Sequence, residues 1–190
     1  MLIILTGMRI NQLDKMLKVL RLGHRRERDK RMTTHTALTA RALGADEFIF
    51  TGDKDKKLLK NIRDVVDRFG GAFTLRHSKD WKKTVDKFKE KGKVVHLTMY
   101  GEKIQNLERE IKKMEKCLVI IGGKKVPGEA YETADYNIAV TNQPHSEVSS
   151  LAVFLDRYYN GEELDFEFQG GKIEIKPNQS GKTVKENQKE

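Results

Sequence analysis

Apolar and polar positions along this chain follow two rhythms. Short apolar stretches at residues 16–22, 47–51, 72–76, 93–98, 117–121 and 136–140, bounded by Gly or polar clusters, predict six strands. Between them apolar residues recur three and four positions apart, the spacing of one helix face. The helices so predicted cover about residues 33–43, 54–69, 80–91, 104–115 and 146–158, with a short turn at 130–134. Gly44 and the Gly70-Gly71 pair stop the first two, and Thr33 or Thr34 is positioned to cap the first. Strands alternating with helices predict an α/β fold, a mostly parallel sheet with helices on both faces. Sheets of this kind bind ligands outside the carboxyl ends of their strands.

The pattern changes after residue 160. Residues 164–168 and 172–176 alternate apolar and polar positions around Gln169-Gly170-Gly171, which predicts a β-hairpin appendage over 161–176. Residues 177–190 hold no aromatic and few apolar side chains, which predicts a disordered tail. Residues 16–160 then form the main domain. Residues 1–15 read as an N-terminal extension of doubtful status, because Met16 is an alternative start.

Charge sharpens the picture. The 190 residues carry 37 Lys and Arg against 28 Asp and Glu, and the excess is concentrated at one end. Residues 1–45 hold ten basic side chains against three acidic ones, a local excess of seven. Such a patch points to a polyanion, although a solvated, ion-paired surface is the alternative. No apolar run approaches the ~20 residues of a membrane span. The lone Cys117 excludes an internal disulfide, and the five histidines lack metal-ligand spacing, so a soluble cytoplasmic protein without a metal is expected.

Several familiar motifs fail. Gly123 and Gly128 stand at the two glycine positions of a P-loop, but Glu129 and Ala130 replace its Lys and hydroxyl. No GxGxxG follows the first strand, and no GxSxG is present. What remains is three polar loops at strand ends. Leu97-Thr-Met-Tyr100-Gly101 closes the fourth strand, Ile121-Gly122-Gly123-Lys124 the fifth, and Val140-Thr-Asn142-Gln143-Pro-His145-Ser146 the sixth. They form either one small-molecule pocket or three ordinary turns. Arg41, on an Ala- and Leu-rich helix, either meets a specific anion or extends its head to water.

Together these segments resemble the SPOUT superfamily of RNA methyltransferases. His35-Thr-Ala-Leu-Thr-Ala-Arg41 is similar to the first motif of its ribose 2′-O-methyltransferase branch, with His35 in the usual Asn place. Ile120-Ile-Gly-Gly123 with Pro127-Gly128 is similar to the second motif. Ser146-Glu-Val-Ser149 is similar to the third, with Glu147 where Asn is usual. Leu20-Arg-Leu-Gly-His-Arg25, Arg28-Asp-Lys-Arg-Met-Thr-Thr-His35, His96-Leu-Thr-Met-Tyr-Gly101 and Asn142-Gln-Pro-His-Ser146 resemble the archaeal tRNA (cytidine(56)-2′-O)-methyltransferase family.

The resemblance implies a C-terminal trefoil knot, S-adenosylmethionine as cofactor, the T-loop cytidine of tRNA as substrate, and a homodimer whose active site is completed across the interface. It assigns the cofactor to Leu97, Tyr100, Gly101, Ile121, Gly122, Gly123, Lys124, Lys125, Val140, Asn142, Gln143, His145 and Ser146. It assigns tRNA phosphates to His24, Arg25, Arg26, Arg28 and Arg31. Arg41 is expected to orient the ribose hydroxyl and stabilise the developing oxyanion, with His35 beside it. A non-catalytic RNA-binding α/β protein is the competing expectation.

Overall fold

A computed structural model describes residues 9–10, 15–123 and 126–187. After a two-residue strand β1 (Arg9–Ile10), the chain lays down β2 (Met16–His24), β3 (Glu47–Gly52), β4 (Thr74–His77), β5 (Lys93–Lys103), β6 (Lys116–Gly122) and β7 (Tyr136–Ala139). These last six form one parallel sheet in the order β4-β3-β2-β6-β5-β7. Helices α1 (Lys30–Ala42), α2 (Lys56–Phe69), α3 (Trp81–Lys89), α4 (Glu108–Lys113), α5 (Glu129–Thr133) and α6 (Glu147–Tyr159) connect or follow the strands. The expected α/β class and its helix-covered parallel sheet are therefore present.

Successive side chains of a strand point to opposite faces, so the central strands feed two cores. Leu17, Val19, Val95 and Val119 pack with Ala37, Ile62, Ile111, Leu151 and Phe154 from α1, α2, α4 and α6. Leu20, Val94, Leu118 and Ile120 pack with Val85, Phe88 and Ala130 from α3 and α5. Burial on both faces explains why β2 and β6 read as continuous apolar runs.

Helix α1 begins earlier than the threonines suggest, with Asp29 at the cap position. Thr33, Thr34 and Thr36 lie inside the helix, their hydroxyls donating to the carbonyls of Asp29, Lys30 and Met32 four residues back. Strand β5 runs on to Lys103 by means of a bulge. Its register against β7 shifts between Leu97 and Glu102, which pushes residues 98–101 out of the ladder. Gly101 then lies so close to β7 that a Cβ there would stand 2.5 Å from the Asn137 carbonyl carbon.

The C-terminal region departs from expectation. An antiparallel hairpin is present, but it joins β9 (Ile173–Lys176) to β10 (Thr183–Glu186), with Ile175 opposite Val184. Strand β8 (Glu167–Phe168) instead pairs with β1. The expected disordered tail is thus corrected for residues 177–187, while 188–190 lie outside the described residues. Low apolar content hid the Thr183-Val184-Lys185-Glu186 stretch, which finds a partner strand. The Gly70-Gly71 turn receives the β8–β9 connection, its Gly71 amide donating to the Gln169 carbonyl at 2.8 Å. Gly70 has φ +78°, and a side chain there would overlap that carbonyl.

The N-terminal segment also engages the domain. Besides β1, Lys15 Nζ donates to the carbonyls of Lys112 and Tyr158 at 2.9 and 2.8 Å and lies 4.4 Å over the Tyr158 ring. Residues 1–8 and 11–14 lie outside the described residues. Among the described residues no helix is long and apolar enough to cross a membrane.

Candidate active site

The carboxyl ends of β5, β6 and β7 open into a cavity of about 690 Å³, within the ~300–1,000 Å³ range of small-molecule sites. Leu97, Thr98, Met99 and Tyr100 come from the β5 bulge; Ile121, Gly122, Gly123 and Val126 follow β6; Pro144, His145, Ser146, Glu147 and Ser150 open α6. His96, Tyr131 and Met32 complete the lining. The three loops are fastened to one another. Asn142 Nδ2 donates to the Met99 and Gly101 carbonyls at 2.8 and 3.2 Å, clipping the third loop to the first. Ser146 caps α6, its Oγ accepting from the Ser149 amide at 3.1 Å. Thr98 Oγ1 lies 3.0 Å from the Tyr131 hydroxyl, which ties the bulge to α5.

An ion pair between a buried Arg and a partly buried Glu braces the same rim. Arg21, only 2% exposed, donates through Nε and Nη2 to the Glu147 carboxylate at 2.7 and 3.1 Å. This two-pronged geometry fixes the first turn of α6 against β2. Arg21 Nη1 has no hydrogen-bond partner among the described residues.

Of the expected cofactor residues, Leu97, Tyr100, Ile121, Gly122, Gly123, His145 and Ser146 line the cavity. Gly101 and Asn142 support the wall from behind, whereas Val140 and Gln143 are not part of the lining. Lys124 and Lys125 lie outside the described residues. Arg25, Arg26, Arg28 and Arg31 are exposed on the segment before α1 and on its first turn. Arg25 is held by Asp29, from Nε at 2.8 Å and Nη2 at 3.0 Å, and this contact keeps the Asp29 carboxyl below its usual range.

Two of the expected residues are buried in this chain. His24 is 1% exposed, with Nδ1 2.8 Å from Thr33 Oγ1 and Nε2 3.6 Å from Asp55 Oδ2. Burial, with Arg21 nearby, pushes its pKa down. Arg41 is not part of the cavity lining of its own chain. It lies in the last turn of α1, at the other end of the sheet, where Nη2 donates to the Gly70 carbonyl at 2.7 Å and the guanidinium sits 4.9 Å over the Phe168 ring. His35 is exposed on α1, three residues after Met32.

Sequence reasoning missed Met32, His96, Tyr131, Glu147 and Ser150 as lining residues. It also passed over Arg21, although a charge between Leu20 and Leu22 in a buried strand was a usable signal.

The fold defines the class. The chain superposes on an Aquifex aeolicus TrmH/SpoU tRNA modifying enzyme with a TM-score of 0.57 at 18% identity, covering 80% of this chain and 77% of that one. It superposes on the SpoU methyltransferase AviRb of Streptomyces viridochromogenes, solved with AdoMet, with a TM-score of 0.56 at 13% identity, covering 77% and 57%. This is the architecture of the SPOUT-type RNA methyltransferases.

Sequence then narrows the class. Residues 69–185 match the family described as tRNA ribose 2′-O-methyltransferase, aTrm56. The tRNA (cytidine(56)-2′-O)-methyltransferase of Thermococcus kodakarensis is 51% identical over 174 residues, 90% of this chain and 97% of that protein. That of Methanocaldococcus jannaschii is 51% identical over 171 residues, 88% and 95%. The chain belongs to this family of tRNA ribose 2′-O-methyltransferases.

Proposed function

We infer that this protein transfers a methyl group from S-adenosylmethionine to the ribose 2′-oxygen of cytidine 56 in the tRNA T-loop, with the cavity at the ends of β5, β6 and β7 as the cofactor seat. The observation that carries the assignment of the seat is the clipping of three strand-end loops into one cavity through Asn142.

The residues present fit a nucleoside with a short polar tail. Apolar Leu97, Ile121 and Val126 stand beside the hydroxyls of Thr98, Ser146 and Ser150. Among the described residues a Cβ at Gly123 would meet only Glu147 Oε1, at 3.4 Å, so backbone is open to close approach. When bound, the cofactor supplies a sulfonium-activated methyl group. The chain's own residues hold it away from water and position the substrate, a contribution that alone accounts for much of such a rate enhancement.

Arg25, Arg26, Arg28 and Arg31 bind tRNA phosphates. Arg31, exposed on the first turn of α1 next to Met32, belongs to the same set of phosphate contacts. Exposed His35, on the same helix, contacts the substrate.

A homodimer and a knotted passage of the chain through the β5–β7 region belong to the same assignment. Met32 and Val153, exposed on the neighbouring helices α1 and α6, offer an apolar face for a second copy beside the cavity. The protein works where tRNA is processed, in the cytoplasm.

Labelled methyl transfer to an unmodified tRNA transcript, with the product nucleotide mapped, tests the reaction. The expected product is 2′-O-methylcytidine at position 56. Label on a base, or on another ribose, overturns the assignment.

A further inference from the structure

We propose that His96 is the specificity-determining hydrogen-bond acceptor of the cavity, its Nε2 lone pair receiving an N–H of the cofactor; this rests on the cofactor seat assigned above. The proposal follows from a chain of hydrogen bonds with only one consistent set of hydrogens. His96, at 1% exposure, lines the cavity near the end of β5. Asn137, its partner in register on β7, donates through Nδ2 to the Tyr131 carbonyl at 2.9 Å. A carbonyl only accepts, so the Asn137 amide nitrogen must face Tyr131 and its oxygen must face His96. That oxygen lies 2.9 Å from His96 Nδ1, and it too only accepts. The hydrogen between these two atoms is therefore on Nδ1.

Burial pushes the His96 pKa below its ordinary value, so the ring is neutral and Nε2 carries none. No hydrogen bond to Nε2 forms among the described residues. The ring is also fixed in place. Tyr131 meets it edge to face, with centroids 4.6 Å apart at 90°, and the Tyr131 hydroxyl is engaged by Thr98. Turning the imidazole over would set a carbon against the Asn137 oxygen.

An acceptor so enclosed favours a ligand that brings a donor and rejects one that does not, because the unmatched group stays desolvated without a partner. S-adenosylmethionine has two N–H donors, the adenine amino group and the amino-acid ammonium, besides its ribose hydroxyls. S-adenosylhomocysteine retains both and is a stable binding probe.

The test is calorimetric binding of three compounds to wild type, His96→Phe and His96→Gln. They are S-adenosylhomocysteine, its analogue with hydrogen in place of the adenine amino group, and its analogue with hydrogen in place of the amino-acid amine. His96→Phe is expected to weaken the parent compound about tenfold. It should leave unchanged the affinity for whichever analogue lacks the donated N–H, which identifies the donor. His96→Gln, with an acceptor oxygen, should recover part of the loss. In the unmutated protein, ¹⁵N resonances should place the hydrogen on Nδ1 and show Nε2 shifting on ligand addition.

Equal losses for all three compounds, no loss at all, or an Nε2-protonated ring would overturn the proposal. Failure of the unmutated protein to bind any of the three would instead overturn the cofactor seat, and the proposal with it.

Discussion

Two buried arginines at opposite ends of the sheet have very different surroundings. Arg21, near the carboxyl end of β2, faces a carboxylate from another element and stands at the rim of the cavity. Arg41, at the end of α1, faces a backbone carbonyl and an aromatic ring beneath the C-terminal connection. The residue type is the same and both are nearly inaccessible. Only the first couples a strand to the helix start that shapes the site. The second closes the base of the domain, where β8 and the Gly70-Gly71 turn come together. A guanidinium in an apolar segment therefore announces a specific partner but not which end of the sheet holds it.

The largest test of this contrast is Glu147→Ala. It leaves Arg21 buried without its counter-charge, and loss of one partner of a buried pair costs about 3–5 kcal/mol. Denaturant unfolding should show a loss of that order, and calorimetry should show cofactor affinity falling with it. Next comes Arg41→Met, which strips the Gly70 carbonyl of its donor at a cost of about 1–3 kcal/mol. Here kcat should remain that of the parent at temperatures where the variant is folded. A folded Arg41→Met protein without turnover would erase the distinction between the two ends.

A smaller effect on stability, but a clear one on substrate, is expected from replacing Arg26, Arg28 and Arg31 together by Gln. The apparent affinity for tRNA should fall and its salt dependence flatten, by roughly 0.7–0.9 in logarithmic slope for each phosphate that is no longer neutralised. Cofactor affinity should hold. The smallest effect is on the pH dependence of stability. His24 and His96 both have pKa values depressed by burial, so the unfolded chain binds protons more readily. Stability should decline as pH falls through about 6.5, before carboxylates such as Asp29 and Asp55, whose pKa values are lowered, begin to contribute at more acidic pH. Thermal melts of wild type and His24→Gln across that window check it, the variant showing the shallower decline.

The core of the fold was legible because its strands are buried on both faces and its helices carry periodic apolar stripes. Strands β2, β3 and β6 and helix α2 fall within two residues of where the pattern puts them. The boundaries that slipped have local causes. Thr33, Thr34 and Thr36 suit a cap but are satisfied by carbonyls within the helix. The β5 bulge leaves no periodic trace, and β10 draws its pairing from a strand ten residues earlier in weakly apolar sequence. At the site, the strand-end loops were visible as Gly- and Ser-bearing breaks. The side chains that reach in from strands and helices were not, because His96, Tyr131 and Glu147 acquire their roles only when β5, α5 and α6 converge. The end of α1 that carries Arg41 was not legible either, because sequence spacing fixes position along a helix but not which end faces the ligand loops.

Asn142 has a kinetic consequence. One amide group holds two carbonyls of the neighbouring loop, so the order of the cavity mouth is established when the chain folds rather than when a ligand arrives. Ligand capture then avoids a slow closing step, and its association rate is set by diffusion and orientation. Asn142→Ala should therefore slow association of S-adenosylhomocysteine in stopped-flow measurements, even where the final complex regains much of its affinity.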